Sequence, residues 1–236
     1  MDTCVSKQIR RDMTAFGTCA GRAYKNDGNH ALFNLSKLPE PGRALDCGCG
    51  SGDNARLLQS LGWEVTGITI SPEEQLKASL SCERVHIYDL DQGIPPDIGG
   101  PYSLIVFSHV LEHLRDPSRA LRDAQKLLAP GGRIAVALPN ILNWRHRLQF
   151  LFGHFEYEET GIMDETHLRF YTFLSGRRLL EANGFDVIAS GVEGACPLRY
   201  LRRVMPRLAS YIDIRACRWL PGLFGIQLLY AARRRG

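Results

Sequence analysis

No apolar run in the sequence approaches the ~20 residues that cross a bilayer, so no membrane-spanning helix is expected. There is no CxxC, and no Cys/His pair stands at zinc spacing. The cysteines number seven, an odd count, and Cys47 and Cys49 flank a glycine where a disulfide would be badly strained. The opening MDTCVSKQIRRDM lacks an apolar core of the signal-peptide kind. Reduced thiols and a cytoplasmic location are the expectation. No internal repeat and no low-complexity linker is present, and no carboxylate cluster suggests a metal, so none is expected. The net charge of +4 is too mild to suggest a nucleic-acid partner.

What is present is an ordinary globular composition, 44% hydrophobic and 23% charged over 236 residues, enough for one sizeable domain. The first forty residues are mixed and polar, a helical cap over 1–40 that ends at the turn Pro39-Glu40-Pro41-Gly42. Apolar runs then alternate with helical patterns. RALDCG, WEVTGITI, RVHIYDL, YSLIVFSHV and RIAVALPN read as buried strands. Between them stand helices from Asp53 to Leu61, from an N-cap at Ser71, and from Asp116-Pro117 to a stop at Pro130. A further helix is expected over Leu174 to Ala182, and FDVIASGV and FGIQLLYAARR look like two closing strands. This alternation predicts an α/β fold: a doubly wound, Rossmann-like, seven-stranded sheet, mostly parallel, with an antiparallel C-terminal hairpin. The chain 1–236 is read as a single domain, with stretches 141–172 and 195–220 inserted on the acceptor side.

The stretch ALDCGCGSGD ends the first strand. Its glycines are spaced Gly48-x-Gly50-x-Gly52, not the G-x-G-x-x-G of a dinucleotide turn. Asp46 lies beside the turn, where a carboxylate would repel a pyrophosphate and suit a cation. LDCGCGSG matches the first motif of class I S-adenosylmethionine methyltransferases, D/E-x-G-x-G-x-G, at every fixed position, and FSHVLEHLRDP resembles the "LEHl.dP" stretch of many small bacterial members. The tail DETHLRFYT, followed by LLEANGF, resembles a branch often associated with glycan and glycolipid pathways. The resemblance spans about residues 40 to 235 and implies S-adenosyl-L-methionine as cofactor. Asp46, Gly48 and Gly50 would then hold its methionine end, and Asp89 with the Leu90 backbone its adenine; Asp91 is the spare acid. Ser108 would line the methionine portion.

The second strand departs from the usual pattern, because Thr69 stands where an acid normally grips both ribose hydroxyls. GITIS resembles cyclopropane fatty-acid synthases, which also place Thr there, and implies that Gln75 on the following helix helps to hold the ribose.

Transfer from a sulfonium needs no acid for its leaving group, so the protein must position the acceptor and, for a hydroxyl, take its proton. His167 is the first base candidate, in a loop expected over the crevice mouth, with His109, His146 and His154 as rivals. His113 is read as a packed core residue. Arg169 would fix an anionic group of the acceptor or pin the loop, and Asn140 and Tyr171 are further acceptor candidates. No DPPY-type amine motif appears. The expected reaction is O-methylation of a small-molecule, sugar or glycan-linked acceptor. The alternative is a non-catalytic regulatory partner of another enzyme, which a weak likeness to methyltransferase-like proteins of methionine biosynthesis implies.

Between Ala195 and Arg218 there are six arginines against one acid, Asp213. Leu198, Leu201, Met205, Leu208 and Ile212 recur at helical spacing, with Arg199, Arg202, Arg203 and Arg207 on the other side and Pro206 breaking the run into two helices. Such a segment suits an anionic partner, either membrane headgroups or a diphosphate-linked acceptor.

Overall fold

The computed structural model of the chain describes residues 27–236. Most of the cap expected over 1–40 therefore lies outside the described residues. What is described of it is helix α1 (His30–Ser36), N-capped by the side chain of Asn29.

Five strands run parallel: β1 (Arg43–Cys47), β2 (Glu64–Thr69), β3 (Arg84–Ile87), β4 (Tyr102–Ser108) and β5 (Leu128–Pro139). Strands β6 (Phe185–Gly194) and β7 (Gly225–Arg234) close the sheet as antiparallel partners. The order is β3-β2-β1-β4-β5-β7-β6, so the expected sheet and its hairpin are both present. Helices α2 (Asp53–Ser60), α3 (Pro72–Ala78), α4 (Pro117–Leu127) and α6 (Phe173–Ala182) carry the crossovers. Helix α5 (Trp144–Leu151) lies in the first insertion. In the second lie α7 (Arg199–Val204), α8 (Pro206–Trp219) and the short α9 (Pro221–Phe224), and Pro206 opens α8 as its first residue.

The central strands are apolar on both sides because both faces are covered. Along β4 the side chains alternate between two cores: Ile105 and Phe107 point to one, Leu104 and Val106 to the other, all fully buried. Each such side chain contributes about 1.5–3 kcal/mol of burial. The first core also holds Leu121 and Ala124 of α4, and the second holds Leu58 of α2 and Leu32 of α1. Strand order reverses between β1 and β4, and the crevice outside the carboxyl ends of those strands is where an open α/β sheet takes its ligand. The glycine turn after β1 and the His109 turn after β4 sit on either side of that reversal.

Candidate functional site

The turn after β1 is held to β2 by the amides of Gly48 and Cys49, which donate to the carbonyl of Ile68 at 2.9 and 2.8 Å. The two central glycines have different reasons. Gly48 has φ +78°, and a Cβ there would collide with Val110. Gly50 has φ +51°, yet a Cβ there would meet nothing closer than Glu74 Oε1 at 3.9 Å, so its bare backbone faces open space. Asp46 is fully buried, and neither carboxylate oxygen has a hydrogen-bond partner; the same holds for the Ser51 hydroxyl. Burial alone raises the Asp46 pKa from 3.8 to about 7. A buried carboxylate without a donor is costly, and the ammonium of S-adenosylmethionine would supply the missing charge. The residues therefore fit that cofactor. Burial likewise pushes the Cys47 thiol up, as do a Cys82 hydrogen bond and burial for Cys49; the described cysteines 47, 49, 82, 196 and 217 are all free.

At the end of β2, Thr69 donates its hydroxyl proton to Glu74 Oε2 at 2.6 Å. Glu74 is thus the carboxylate between Thr69 and the glycine turn. Gln75 turns the other way, donating from Nε2 to the carbonyl of Val85 in β3 at 2.9 Å, and its amide is held there instead of at the ribose side. The cause is helical geometry: adjacent positions on α3 point about 100° apart, and only one of them can face the turn. Asp89 caps the short 3₁₀ turn Leu90–Gln92 by accepting from the amide of Asp91, while Asp91 accepts from the amide of Arg115 at 2.6 Å.

Beyond β4, Ser108 accepts from Asn29 Nδ2 at 3.3 Å. His109 follows with φ +56°, a left-handed backbone uncommon outside glycine and worth noting where ligands bind. Its Nε2 lies 3.0 Å from Gln227 Oε1 and its Nδ1 lies 3.3 Å from Glu112 Oε1, with 43% of the side chain accessible. Crowding of the ring works against its charge. The Glu112 carboxylate, and after it Gln227, outweigh that and leave the His109 pKa raised. The ring therefore combines accessibility with a carboxylate behind it. The Glu112 contact lacks hydrogen-bond alignment, and both carboxylate oxygens of this fully buried residue are without a hydrogen-bond donor.

His167, expected in a loop over the crevice mouth, is a buried side chain. It is 8% exposed, its Nδ1 is 3.0 Å from the carbonyl of Ile162, and its ring meets that of His113 edge-on with centroids 4.7 Å apart. Burial holds its pKa low. One donor atom each from Glu112, His113 and His167 falls within 4.8 Å of the others, a convergence that the sequence reading does not anticipate. A signal was there: Glu112 and His113 are adjacent in LEHL, but only the fold brings DETHLRFYT against them.

Three acceptor candidates have these surroundings. Asn140 is fully buried, with Nδ2 donating to the carbonyls of Gly222 and Gly225 and Oδ1 accepting from Leu142; it ties β5 to the start of β7. Arg169 is held by the backbone carbonyls of Leu114 and Arg115, so it pins the loop. Tyr171 is buried without a partner for its hydroxyl, and burial raises its pKa to about 12. Of the rival bases, His146 is held low by burial, and His154 is exposed in the loop after α5. That insertion also carries a ladder of rings: Phe150 stacks on Phe155 at 5.3 Å, and Phe155, Tyr157, Phe170 and His167 continue it at 5.9–6.4 Å.

A doubly wound sheet with a bare glycine turn beside a buried, partnerless carboxylate is the frame of an S-adenosylmethionine-binding protein. Residues 22–190 match the family model described as a methyltransferase domain, and the chain belongs to that family, whose cofactor is S-adenosyl-L-methionine. Curated relatives carry the name ubiquinone biosynthesis O-methyltransferase. The one from Caulobacter sp. (strain K31) is 32% identical over 126 residues, 50% of this chain and 46% of its own length. The one from Xanthomonas axonopodis pv. citri is 29% identical over 152 residues, 55% of this chain and 61% of its own. The matches thus span about half the length of those relatives. Among solved structures, the S-adenosylmethionine-dependent methyltransferase from Archaeoglobus fulgidus superposes with a TM-score of 0.61 at 19% identity, covering 86% of this chain and 93% of that one. The one from Mesorhizobium loti gives 0.57 at 22%, covering 86% and 96%. At such identities they speak for the fold.

Proposed function

We propose that the chain transfers the methyl group of S-adenosyl-L-methionine to a hydroxyl oxygen of a ring-bearing acceptor, a small molecule, sugar or glycan-linked. What carries the reading is His109: an accessible imidazole at the end of β4, backed by the buried Glu112, across the strand reversal from the glycine turn. Asp46 would hold the cofactor's ammonium, the bare backbone at Gly50 would let its methionine part lie close, Glu74 and Thr69 would meet its ribose, and Asp89 with Leu90 would border its adenine. In the reacting complex the acceptor hydroxyl would take the place of Gln227 Oε1, and the ring would hold its proton on Nδ1 toward Glu112, leaving Nε2 free to accept the hydroxyl proton. The bound cofactor would supply the methyl group as an electrophile, with the C–S electron pair leaving on sulfur. The family relatives named as O-methyltransferases support oxygen as the methylated atom. The aromatic ladder from Phe150 to Phe170 supports an acceptor with a flat or ring-shaped face.

The second insertion supports a partner of negative charge. Arg202 is exposed but paired with the buried Asp213 at 2.6 Å, so its charge is already met within the chain. Arg199, Arg203, Arg207 and Arg218 are exposed, among exposed Tyr200, Val204, Ile214 and Trp219. Arginine mixed with apolar and aromatic side chains suits an anionic lipid surface, from which a glycan-linked acceptor would be presented.

The test is turnover of methyl-labelled cofactor against a panel of phenols, free sugars and nucleotide sugars. Label recovered as a methyl ether is expected. Label on nitrogen or carbon overturns the oxygen assignment, and no transfer to any of them with intact cofactor binding overturns the catalytic reading in favour of a regulatory one.

A further inference from the structure

We propose that Glu112, His113 and His167 form a binding site for a divalent transition-metal ion, zinc foremost, which clamps the loop 162–169 to the turn between β4 and α4. The inference concerns a site beside the base named above and does not depend on methyl transfer.

The argument begins with tautomers. A carbonyl oxygen can only accept, so Nδ1 of His167, 3.0 Å from the carbonyl of Ile162, carries the proton. Nδ1 of His113 faces the carbonyl of Thr166 at 3.3 Å and the Thr166 hydroxyl at 3.1 Å. That hydroxyl gives its own proton to Asp164 at 2.6 Å, so its lone pair faces the ring, and Nδ1 of His113 is again the donor. Both neutral imidazoles therefore keep an unprotonated Nε2. This is how metal-binding histidines are held: one ring nitrogen is fixed by a backbone carbonyl and the other is aimed at the ion.

The third group is the carboxylate of Glu112, fully buried, with neither oxygen in an aligned hydrogen bond. One ligand atom from each of the three groups lies within 4.8 Å of the others, and with both Nδ1 atoms turned to backbone carbonyls the Nε2 atoms are the ones left for an ion. His109 Nδ1, 3.3 Å from Glu112 Oε1, faces one side of the carboxylate and leaves both imidazole lone pairs unmet. A proton would satisfy one pair and leave the third acceptor buried and unmet; a divalent ion satisfies all three. Donors on a tetrahedral zinc ion stand roughly 3.3 Å apart, so each group moves inward by less than about an ångström. Two imidazoles with one carboxylate favour zinc and its neighbours in the transition series over magnesium or calcium, which prefer all-oxygen shells. Three protein donors leave a coordination position for water or an acceptor oxygen. The backbone is already prepared for the clamp, because the amides of Leu168 and Arg169 both donate to the carbonyl of Glu112, at 2.9 and 3.1 Å.

The experiment uses the untagged full chain, dialysed against a chelator and then titrated with zinc. Expected are one bound equivalent, a rise in melting temperature, and an X-ray absorption shell of nitrogen and oxygen only. Thr166→Val, which removes a supporting hydrogen bond, should weaken binding roughly 10–100-fold, and Glu112→Gln and His167→Asn should weaken it more. His30→Ala, on α1, should leave it unchanged. No stoichiometric uptake by folded wild type overturns the proposal, as do sulfur neighbours in the shell or equal uptake by both ligand variants. Should the ligand variants fail to fold, the wild-type stoichiometry and coordination shell decide alone. Turnover is not read, so a failure of methyl transfer leaves the outcome untouched.

Discussion

The two halves of the crevice are built by different means. On the β1–β3 side the geometry is written into the backbone: positive φ at Gly48, Gly50 and Gly52, amides of the turn fixed to Ile68, and a strand whose last two residues are Asp46 and Cys47. On the acceptor side it is written into side chains that choose partners: His109 between Glu112 and Gln227, Asn140 bridging to Gly225, Arg169 on the carbonyls after β4. A backbone requirement selects a residue type at a spacing. A partner choice selects only a polar group and leaves its direction to the fold. Changes on the first side should therefore act on cofactor affinity, and changes on the second on turnover.

The sharpest contrast is His109→Ala, which should lower kcat by ~10²–10⁴-fold, the usual size of a lost general base. Affinity for S-adenosylhomocysteine by calorimetry should hardly change. Equal losses in both would erase the distinction between the halves.

Next in size is Asp46→Asn, expected to weaken cofactor binding by about 1–3 kcal/mol, the scale of a lost charge-assisted hydrogen bond. The pH dependence has a definite sign. Burial lifts the Asp46 pKa from 3.8 to about 7 in the folded chain. Its protonated form thus favours folding: the contribution is full below the unfolded pKa and is lost as pH rises through about 7. The cofactor's ammonium needs the ionised form, so wild-type affinity should fall as pH drops below about 7 while the cofactor-free protein gains stability. Affinity that is flat with pH, or falls in Asp46→Asn as in wild type, would show that the carboxylate does not meet the ammonium.

A smaller effect separates neighbours on α3. Glu74→Gln should cost about 1–2 kcal/mol of affinity, in the lower range for hydrogen bonds to a charged group. Gln75→Ala should leave affinity alone and cost about 1 kcal/mol in a thermal melt, through the Val85 carbonyl it abandons. The reverse result would return the ribose to Gln75.

The least effect is expected on the outer face of α7 and α8. Each of Arg203→Gln and Arg207→Gln should remove about 1 kcal/mol of binding to anionic vesicles at low salt. Sedimentation at high salt should abolish binding for all variants. Wild type that fails to sediment at low salt would leave no membrane role for this face.

The division also explains what could be read in the sequence. The strands themselves, the closing hairpin, the Pro206 break and the glycine turn follow from periodicity and from residues with restricted or unrestricted φ, which act locally. Gln75 and Glu74 are one residue apart, and only the twist of α3 against β3 decides which faces the turn. Asn140, Arg169 and Tyr171 have the right chemistry for an acceptor, but each meets a backbone carbonyl or an apolar wall first. His167 and His113 are 54 positions apart in number, and no spacing rule joins them.

Strand β7 follows β6 in the chain but is inserted between β5 and β6 in the sheet. It delivers Gln227, whose one side chain reaches His109, Asn29 and Glu193. During synthesis, then, everything that recognises the cofactor leaves the ribosome before the strand that finishes the acceptor side. A nascent chain halted ahead of Gly225 would have its glycine turn, its Asp46 and its His109, with β5 and β6 still unjoined. Such a chain lacks both the strand that joins β5 to β6 and the Gln227 side chain that His109 meets.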